Sequence, residues 1–167
     1  MCIRDRRLLR HLTLTHSRVR RAFAPGTCKA LAQRIHQSEA QHAGQLRLVI
    51  EGALDLPALW RGQSSRDRAL ELFAHLGIWD TPHNNGVLVY VLMADRSVEI
   101  VADRGIDACC GQAAWNRIAM AMAQQFACGA FAQGTLQGLE AITRLLARHF
   151  PPVPGQKNDL PDAPIVL

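Results

Sequence analysis

The spacing of hydrophobic positions along this chain predicts helices and strands in alternation. Between Pro25 and Gly44, positions 31, 35 and 38 recur with the period of a helix and define one amphipathic segment. Residues 45–51 read QLRLVIE, in which leucine and isoleucine recur at every second position, as expected for a strand. A second amphipathic helix is predicted to begin at Ser65, a good N-cap residue, and to end near Gly77.

The densest hydrophobic pattern lies in residues 83–106, which read HNNGVLVYVLMADRSVEIVADRGI. Residues 87–93 contain no charged side chain and three valines, which is typical of a strand that is buried on both faces. The sequence ADRS is predicted to form a turn, and residues 98–102 are predicted to form a second strand. The two strands together predict a β-hairpin at the centre of a sheet.

Two further helices are predicted in the second half of the chain, within QAAWNRIAMAMAQQFACG and TLQGLEAITRLLARHF. The predicted order of elements is therefore α, β, α, β, β, α, α. A helical crossover between the first two strands makes them parallel, and the hairpin adds a third, antiparallel strand. This order predicts an α/β fold, a three-layer α/β/α sandwich in which helices cover both faces of a small mixed sheet.

Positive charge is concentrated in residues 1–21, which contain seven arginines and one aspartate, although the whole chain carries a net charge of only +5. Residues 1–21 are therefore predicted to form a basic N-terminal arm, residues 22–150 the folded domain, and residues 151–167 an extended, proline-rich tail. The arm is expected either to contact a protein or membrane surface or to be a solvated segment. The PIVL end of the tail is expected to dock onto a groove or a sheet edge. Nucleic acid is not an expected partner, because aromatic residues make up only 5% of the chain.

The five cysteines include no CxxC pair and no histidine at zinc-finger spacing, so a structural zinc site is not expected. Cys109 and Cys110 are adjacent, a geometry that rarely closes a disulfide. Neither a signal peptide nor an apolar run long enough to span a bilayer is recognised in the sequence. These features predict a cytoplasmic protein that is at most peripheral to the inner membrane.

Polar side chains flank the predicted hairpin at the end opposite its turn. If residues 95–96 form a two-residue turn, Asp103 lies opposite Leu88. Asp107 then lies opposite Asn84, and the loops before and after the hairpin share one edge of the sheet. Carboxylate and amide oxygens are the ligands that Mg²⁺ and Ca²⁺ prefer. The expected cation ligands are Asp80, Asn84, Asn85, Asp103 and Asp107, and the expected phosphate or anion ligands are Arg104 and His83.

The same residues also have ordinary structural uses. The residues of segment 80–86 are common in turns, and Asp103 with Arg104 can form a surface ion pair. A rival location for a ligand site is the opposite edge of the sheet, because ligands of α/β sheets usually bind beyond the carboxyl ends of the parallel strands. The residues that gather at this rival edge are Glu51, Asp55, Asp95 and Arg96.

Three segments of the chain resemble the TPM domain family. The central one is NNGVLVYVLMADRSVEIVADRGI, which is preceded by ALELFAHLGIWDT and followed by FACGAFAQGTLQGLEAITRLL. The resemblance covers residues 22–150 and is greatest for a soluble bacterial branch without a secretion signal or membrane segment. Positions that match the family pattern are Asn84, Asn85, Gly86, Asp103 and Gly105. Asn84 stands where many members have aspartate, and Arg104 stands where an aromatic residue is usual.

This resemblance implies an α/β/α sandwich and leaves two kinds of activity open. Thylakoid-lumen members are described as acid phosphatases and as helpers in photosystem repair, whereas others bind divalent cations or modulate membrane proteins. We therefore expect a binding or assembly module that uses a divalent cation and acts near membranes or protein complexes. The alternative is a weak, metal-assisted phosphatase acting on phosphomonoesters, with Mg²⁺ or Ca²⁺ as cofactor. In that alternative the metal is held by Asp80, Asp103 and Asp107, and Arg104 clamps the phosphate.

Overall fold

Four strands form one mixed sheet in a computed structural model that describes residues 3–155 and 157–167. The strands lie in the order β3, β2, β1, β4. Their bounds are β1 Gln45–Glu51, β2 Gly86–Leu92, β3 Ser97–Ala102 and β4 Ile165–Val166. β2 lies between a parallel neighbour, β1, and an antiparallel neighbour, β3, and all seven of its residues are buried. The predicted mixed sheet with a doubly buried strand is therefore confirmed.

Helices cover both faces of this sheet. Their bounds are α1 Ile3–Thr13, α2 His16–Ala22, α3 Pro25–Glu39, α4 Leu56–Trp60, α5 Ser65–His75, α6 Arg104–Cys110, α7 Gln112–Ala127 and α8 Phe131–His149. The predicted helices are α3, α5, α7 and α8, whereas α1, α2 and the short α4 and α6 were not predicted. Within the described residues, every helix is too short or too polar to cross a bilayer.

Two hydrophobic layers result from the alternation of side chains along the strands. Leu46, Leu48 and Ile50 of β1 pack with α2, α3, α6, α7 and α8 on one face of the sheet. Val49, between them, packs with α4 and α5 on the other face. Because residues of a strand point alternately to opposite faces, one strand feeds both cores. The three-layer α/β/α sandwich is confirmed.

The turn of the hairpin is longer than predicted. Leu92 pairs with Ser97, so residues 93–96 form a four-residue turn in place of a two-residue one. The main-chain amide of Met93 donates to the Glu51 carbonyl of β1 at 3.0 Å, and the Arg96 amide closes the turn by donating to the Met93 carbonyl at 3.0 Å. Asp103 therefore donates its amide to Gly86 at 2.8 Å and does not lie opposite Leu88. Since the shift equals two residues, each side chain keeps the face that was predicted for it.

Residues 3–21, expected to lie in a basic arm, instead form most of two helices, α1 and α2, that pack against the domain. Val19 of α2 is 5% exposed and belongs to the larger hydrophobic core. His11 of α1 is buried, and its Nδ1 accepts a hydrogen bond of 3.0 Å from the amide of Leu54. The proton of this ring therefore lies on Nε2, which donates to Asp95 at 3.1 Å. The basic segment is thus attached to the turn of the hairpin. Its helices were not predicted because the many arginines leave too few apolar positions for a helical pattern to be recognised.

The tail ends as a strand. Ile165 and Val166 of β4 pair in parallel with Val49 and Ile50 of β1, which confirms that the PIVL segment docks onto a sheet edge. Upstream of β4, the guanidinium of Arg47 donates to the carbonyl of Ala163 at 2.9 Å. These bonds cover the free edge of β1, which would otherwise offer unpaired backbone groups to other chains.

Candidate functional site

The loop before β2 is held by its own backbone and by Thr81. The amide of Asn85 donates to the Thr81 hydroxyl at 3.0 Å, and the amide of Asn84 donates to the Thr81 carbonyl at 3.1 Å. Asn84 adopts φ 49°, a left-handed conformation that asparagine tolerates better than most residues. The Asn85 side-chain amide donates to the carbonyl of Ala43, which fixes the direction of its Oδ1. That Oδ1 is buried and has no hydrogen-bond partner among the described residues.

The loop after β3 is the start of α6, and Asp103 is its N-cap. Oδ1 of Asp103 accepts a hydrogen bond of 2.7 Å from the amide of Arg104, while its Oδ2 is buried without a partner among the described residues. Asp107 lies one helical turn later, and its amide donates to the Asp103 carbonyl at 2.9 Å. Residues four apart share one face of a helix, so the two carboxylates project on the same side of α6. Oδ1 of Asp107 is also buried and lacks a partner within the described chain.

Two glycines allow close packing at this end of the hairpin. A Cβ atom added to Gly105 would lie 2.7 Å from the carbonyl oxygen of Asn84, so α6 packs directly on the backbone of the first loop. A Cβ on Gly86 would lie 2.1 Å from the carbonyl oxygen of Ile78, which only a glycine can accommodate. The loops before and after the hairpin therefore lie close together, because β2 and β3 are antiparallel and because α6 packs on the first loop. We call the surface formed by Asn84, Asn85, Asp103 and Asp107 the acidic rim.

The remaining predicted ligands lie outside this buried set. Asp80, His83 and Arg104 are exposed, as is the side chain of Asn84. Asp80, Asp103 and Asp107 do not bring ligand atoms within 4.8 Å of one another in the described chain, so their joint role as metal ligands stays a prediction. The amide of Asp80 donates to the Gly77 carbonyl at 3.0 Å, which holds this residue in the turn that follows α5.

A different group of ligand atoms was not predicted. His36, Glu39 and Asp162 bring ligand atoms within 4.8 Å of one another and are the one such trio of His, Cys, Asp or Glu in the described chain. Nδ1 of His36 lies 3.0 Å from Oδ2 of Asp162. Burial raises the pKa of Glu39 to about 8, and the neighbouring Asp162 carboxylate adds to the effect. The sequence offered no signal for this group, because Asp162 belongs to the tail and meets α3 only in the folded chain.

At the rival edge of the sheet, the carboxylates are hydrogen-bonded to other groups of the protein. Glu51 accepts a hydrogen bond of 2.6 Å from the Tyr90 hydroxyl and two of 3.0 Å from the Arg68 guanidinium. Burial and the bond to Glu51 raise the pKa of Tyr90 above its ordinary value. Asp55 caps α4 by accepting from the amide of Ala58 at 2.8 Å. This arrangement is typical of structural anchoring, because each carboxylate is satisfied within the fold.

Asp95 in the hairpin turn is also satisfied. Its carboxylate accepts from Arg7 at 3.0 Å and from His11 at 3.1 Å, and Arg10 lies 3.5 Å away. Burial acts to raise the pKa of Asp95, but the bonds from His11 and Arg7 outweigh it and bring the pKa to about 2. The acidic rim thus leaves carboxylate and amide oxygens buried without partners among the described residues, whereas the rival edge leaves the Ser97 hydroxyl unpaired but satisfies its carboxylates.

The fold is similar to that of solved bacterial proteins. The NMR structure of the BA42 protein from the psychrophilic bacterium Bizionia argentinensis is 28% identical in sequence and has a TM-score of 0.74, covering 85% of this chain and 93% of that one. The solution structure of the N-terminal domain of a P. gingivalis protein is 20% identical with a TM-score of 0.62, covering 76% and 80% respectively, and shows a similar fold. A comparison with curated proteins finds no match.

The segment of the sequence that forms the sandwich matches a known protein family. The TPM domain matches residues 20–145, a range that runs from the end of α2 into α8 and includes both loops of the acidic rim. This agrees with the segments that resemble the family in the sequence. The chain belongs to the TPM domain family.

Proposed function

We propose that this TPM domain is a binding module that takes a divalent cation, Mg²⁺ or Ca²⁺, at the acidic rim. One observation carries the proposal: Asn85, Asp103 and Asp107 each bury a side-chain oxygen that has no hydrogen-bond partner in the described chain. Leaving a buried polar oxygen unpaired costs about 1–3 kcal/mol, and more for a charged group. A bound cation would offset this cost for all three.

The chemistry of the donors suits a hard cation. Two carboxylates and one amide supply oxygen ligands and two negative charges, and waters complete the shell of Mg²⁺ or Ca²⁺ in most protein sites. The rim is partly preformed, since the hydrogen bonds to Thr81 and Ala43 fix Asn85 and the N-cap bond fixes Asp103. A cation held there would present a charged surface to a protein or membrane partner. Free thiols at Cys28, Cys109, Cys110 and Cys128 support a cytoplasmic location.

Calorimetric titration with MgCl₂ and CaCl₂ tests the proposal. We expect binding of one cation, weakened at least about tenfold by Asp103→Asn, which removes a charge while keeping a good N-cap. The matched control is Asp55→Asn, because Asp55 also caps a helix and lies at the other end of the sheet. Absence of binding in the wild-type protein, or equal loss in the two variants, would overturn the proposal.

A second candidate function, metal-assisted hydrolysis of a phosphomonoester, is supported by Arg104. Its guanidinium is exposed at the start of α6 and forms no ion pair within the described chain, so it is free to clamp phosphate oxygens beside the cation. Release of phosphate from p-nitrophenyl phosphate should then require Mg²⁺ or Ca²⁺, stop with chelator and fall at least about tenfold in Arg104→Gln. Hydrolysis that is insensitive to chelator and to this variant would exclude the phosphatase while leaving cation binding intact.

A further inference from the structure

A cavity of about 390 Å³ opens between the N-terminal helices and the domain. Four arginines line it, namely Arg10, Arg18, Arg21 and Arg96, and its lining contains no carboxylate. They come from the end of α1, from α2 and from the turn of the hairpin, so that separate parts of the chain bring like charges to one place. Such convergence opposes folding unless an anion compensates it.

The protein neutralises these arginines only in part. Arg10 lies 3.5 Å from Asp95, but that carboxylate is already bound to Arg7 and His11. Arg96 donates a hydrogen bond of 3.2 Å to the carbonyl of Ala127, which is not a charged partner. Arg18 and Arg21 form no ion pair within the described part of the chain. The cavity therefore keeps an excess of positive charge.

The rest of the lining is apolar. Leu14, Ala22, Met93 and Phe131 contribute to the wall of the cavity. The ring of Phe131 is fixed by Phe126, whose centroid lies 5.0 Å from its own. An apolar floor below a set of guanidinium groups is complementary to a molecule with an anionic head and a hydrocarbon body.

We propose that this cavity binds a small organic phosphate that carries an apolar portion. Guanidinium groups match phosphate oxygens with paired hydrogen bonds, which favours Arg18 and Arg21 as the ligands of the head. The volume is at the lower end of the range for small-molecule sites, so the ligand enters as a monomer and not as part of a lipid surface. The cavity lies past the carboxyl end of β2, about 20 Å along the strand from the acidic rim. It is therefore independent of the proposed cation site.

Titration calorimetry with monomeric octyl phosphate, below its micelle concentration, tests this inference. We expect one molecule to bind per chain, at least about tenfold more tightly than either inorganic phosphate or neutral octyl glucoside, because the head and the apolar body both contribute. Arg18→Gln and Arg21→Gln should each weaken binding about tenfold. Vesicles that contain phosphatidylglycerol should capture the protein no better than phosphatidylcholine vesicles.

Arg20→Gln is the matched control, since Arg20 is exposed on the same short helix but does not line the cavity. It removes the same charge and should leave the affinity for octyl phosphate within about twofold of wild type. Equal losses in Arg20→Gln and Arg18→Gln would overturn the proposal, as would equal affinity for inorganic phosphate or capture by anionic vesicles alone. Urea unfolding of each variant confirms that the compared proteins are folded.

Discussion

At the scale of single residues, buried polar groups differ in whether the fold itself satisfies their oxygens. Glu51 and Asp95 are surrounded by donors from distant elements, and they hold the sheet and the N-terminal helices in place. Asn85 and Asp103 are equally buried, yet each keeps one oxygen without a partner in the described chain. Because unpaired buried oxygens are costly, their presence at one rim is a stronger indication of a ligand than the number of acidic residues there.

His42 should make the stability of the protein depend on pH. Burial lowers the pKa of this fully buried histidine to about 4, whereas the ordinary value is 6.5. Because its pKa is depressed in the folded state, the neutral ring contributes stability above pH 6.5 that is lost as the pH falls towards 4. Between pH 7.5 and 4.5 we expect this residue to account for a loss of about 2.5 kcal/mol in the free energy of unfolding.

Urea unfolding at the two pH values measures this loss. In His42→Gln the difference between the two free energies should shrink by that amount, whatever the substitution does to stability at neutral pH. His75→Gln, which changes an exposed histidine, serves as the control. An unchanged pH dependence in His42→Gln would show that folding does not lower the pKa of this ring.

At the scale of elements, the long and strongly periodic segments were predictable from sequence. The sequences of α3, α7 and α8 have a clear apolar stripe at helical spacing, and that of β2 has no charged residue. In each case the local pattern and the burial in the structure agree. α1 and α2 were missed because a segment with seven arginines has few apolar positions, although Val19 and Ala22 of α2 pack in the larger core. α6 was missed because Asp103 was interpreted as part of a loop after the strand and not as the cap of a helix.

The candidate site shows the same division. The two loops could be placed together from the hairpin alone, since antiparallel strands bring their outer ends to one edge. Asp80 could not be excluded from the sequence, because its position depends on how Thr81 organises the loop. The meeting of His36 with Asp162 depends on the path of the tail, which no local pattern encodes.

β4 should protect the edge of β1 from solvent. The amide of Gly52 donates to the Leu167 carbonyl at 3.1 Å, and the Leu167 amide donates to Ile50 at 2.8 Å. Deleting residues 165–167 removes both bonds, so the Gly52 amide should exchange with deuterium at least about tenfold faster. The amide of Val89, in the middle of β2, is the internal control. Unchanged exchange at Gly52 would mean that the edge is protected by something other than β4.

At the scale of the whole molecule, the acidic rim and the arginine-lined cavity lie at opposite ends of one sheet, and the cavity lies at the same end as the carboxylates of Glu51 and Asp95. The acidic rim lies at the end where β2 begins, and the arginine cavity lies past the end where β2 stops. The net charge of +5 therefore describes neither surface. Residues 3–22, which carry most of the excess positive charge, are part of the packed structure and help to form the cavity.

Removing residues 1–22 should consequently destabilise the domain. The deletion takes away Val19 and uncovers Phe23, which is 3% exposed, and it leaves the half-buried carboxylate of Asp95 without its hydrogen bonds from Arg7 and His11. We expect the free energy of unfolding to fall by at least about 3 kcal/mol in urea titrations.

A variant that changes Arg18, Arg20 and Arg21 together to glutamine separates the two contributions of this segment. It removes charge from α2 while keeping the packing of Val19, and it should lose less than about 1 kcal/mol. A deletion that is no more damaging than this variant would show that the segment contributes charge alone.

The four-residue turn of the hairpin restricts how related chains can vary in length. One extra residue within 93–96 would move every later side chain of β3 to the opposite face of the sheet. Glu99 would then point towards the helices α7 and α8, and Ile100 would point away from them. Two extra residues would preserve the core pattern and only displace the point at which α1 is attached. Insertions that survive in this turn should therefore come in even numbers.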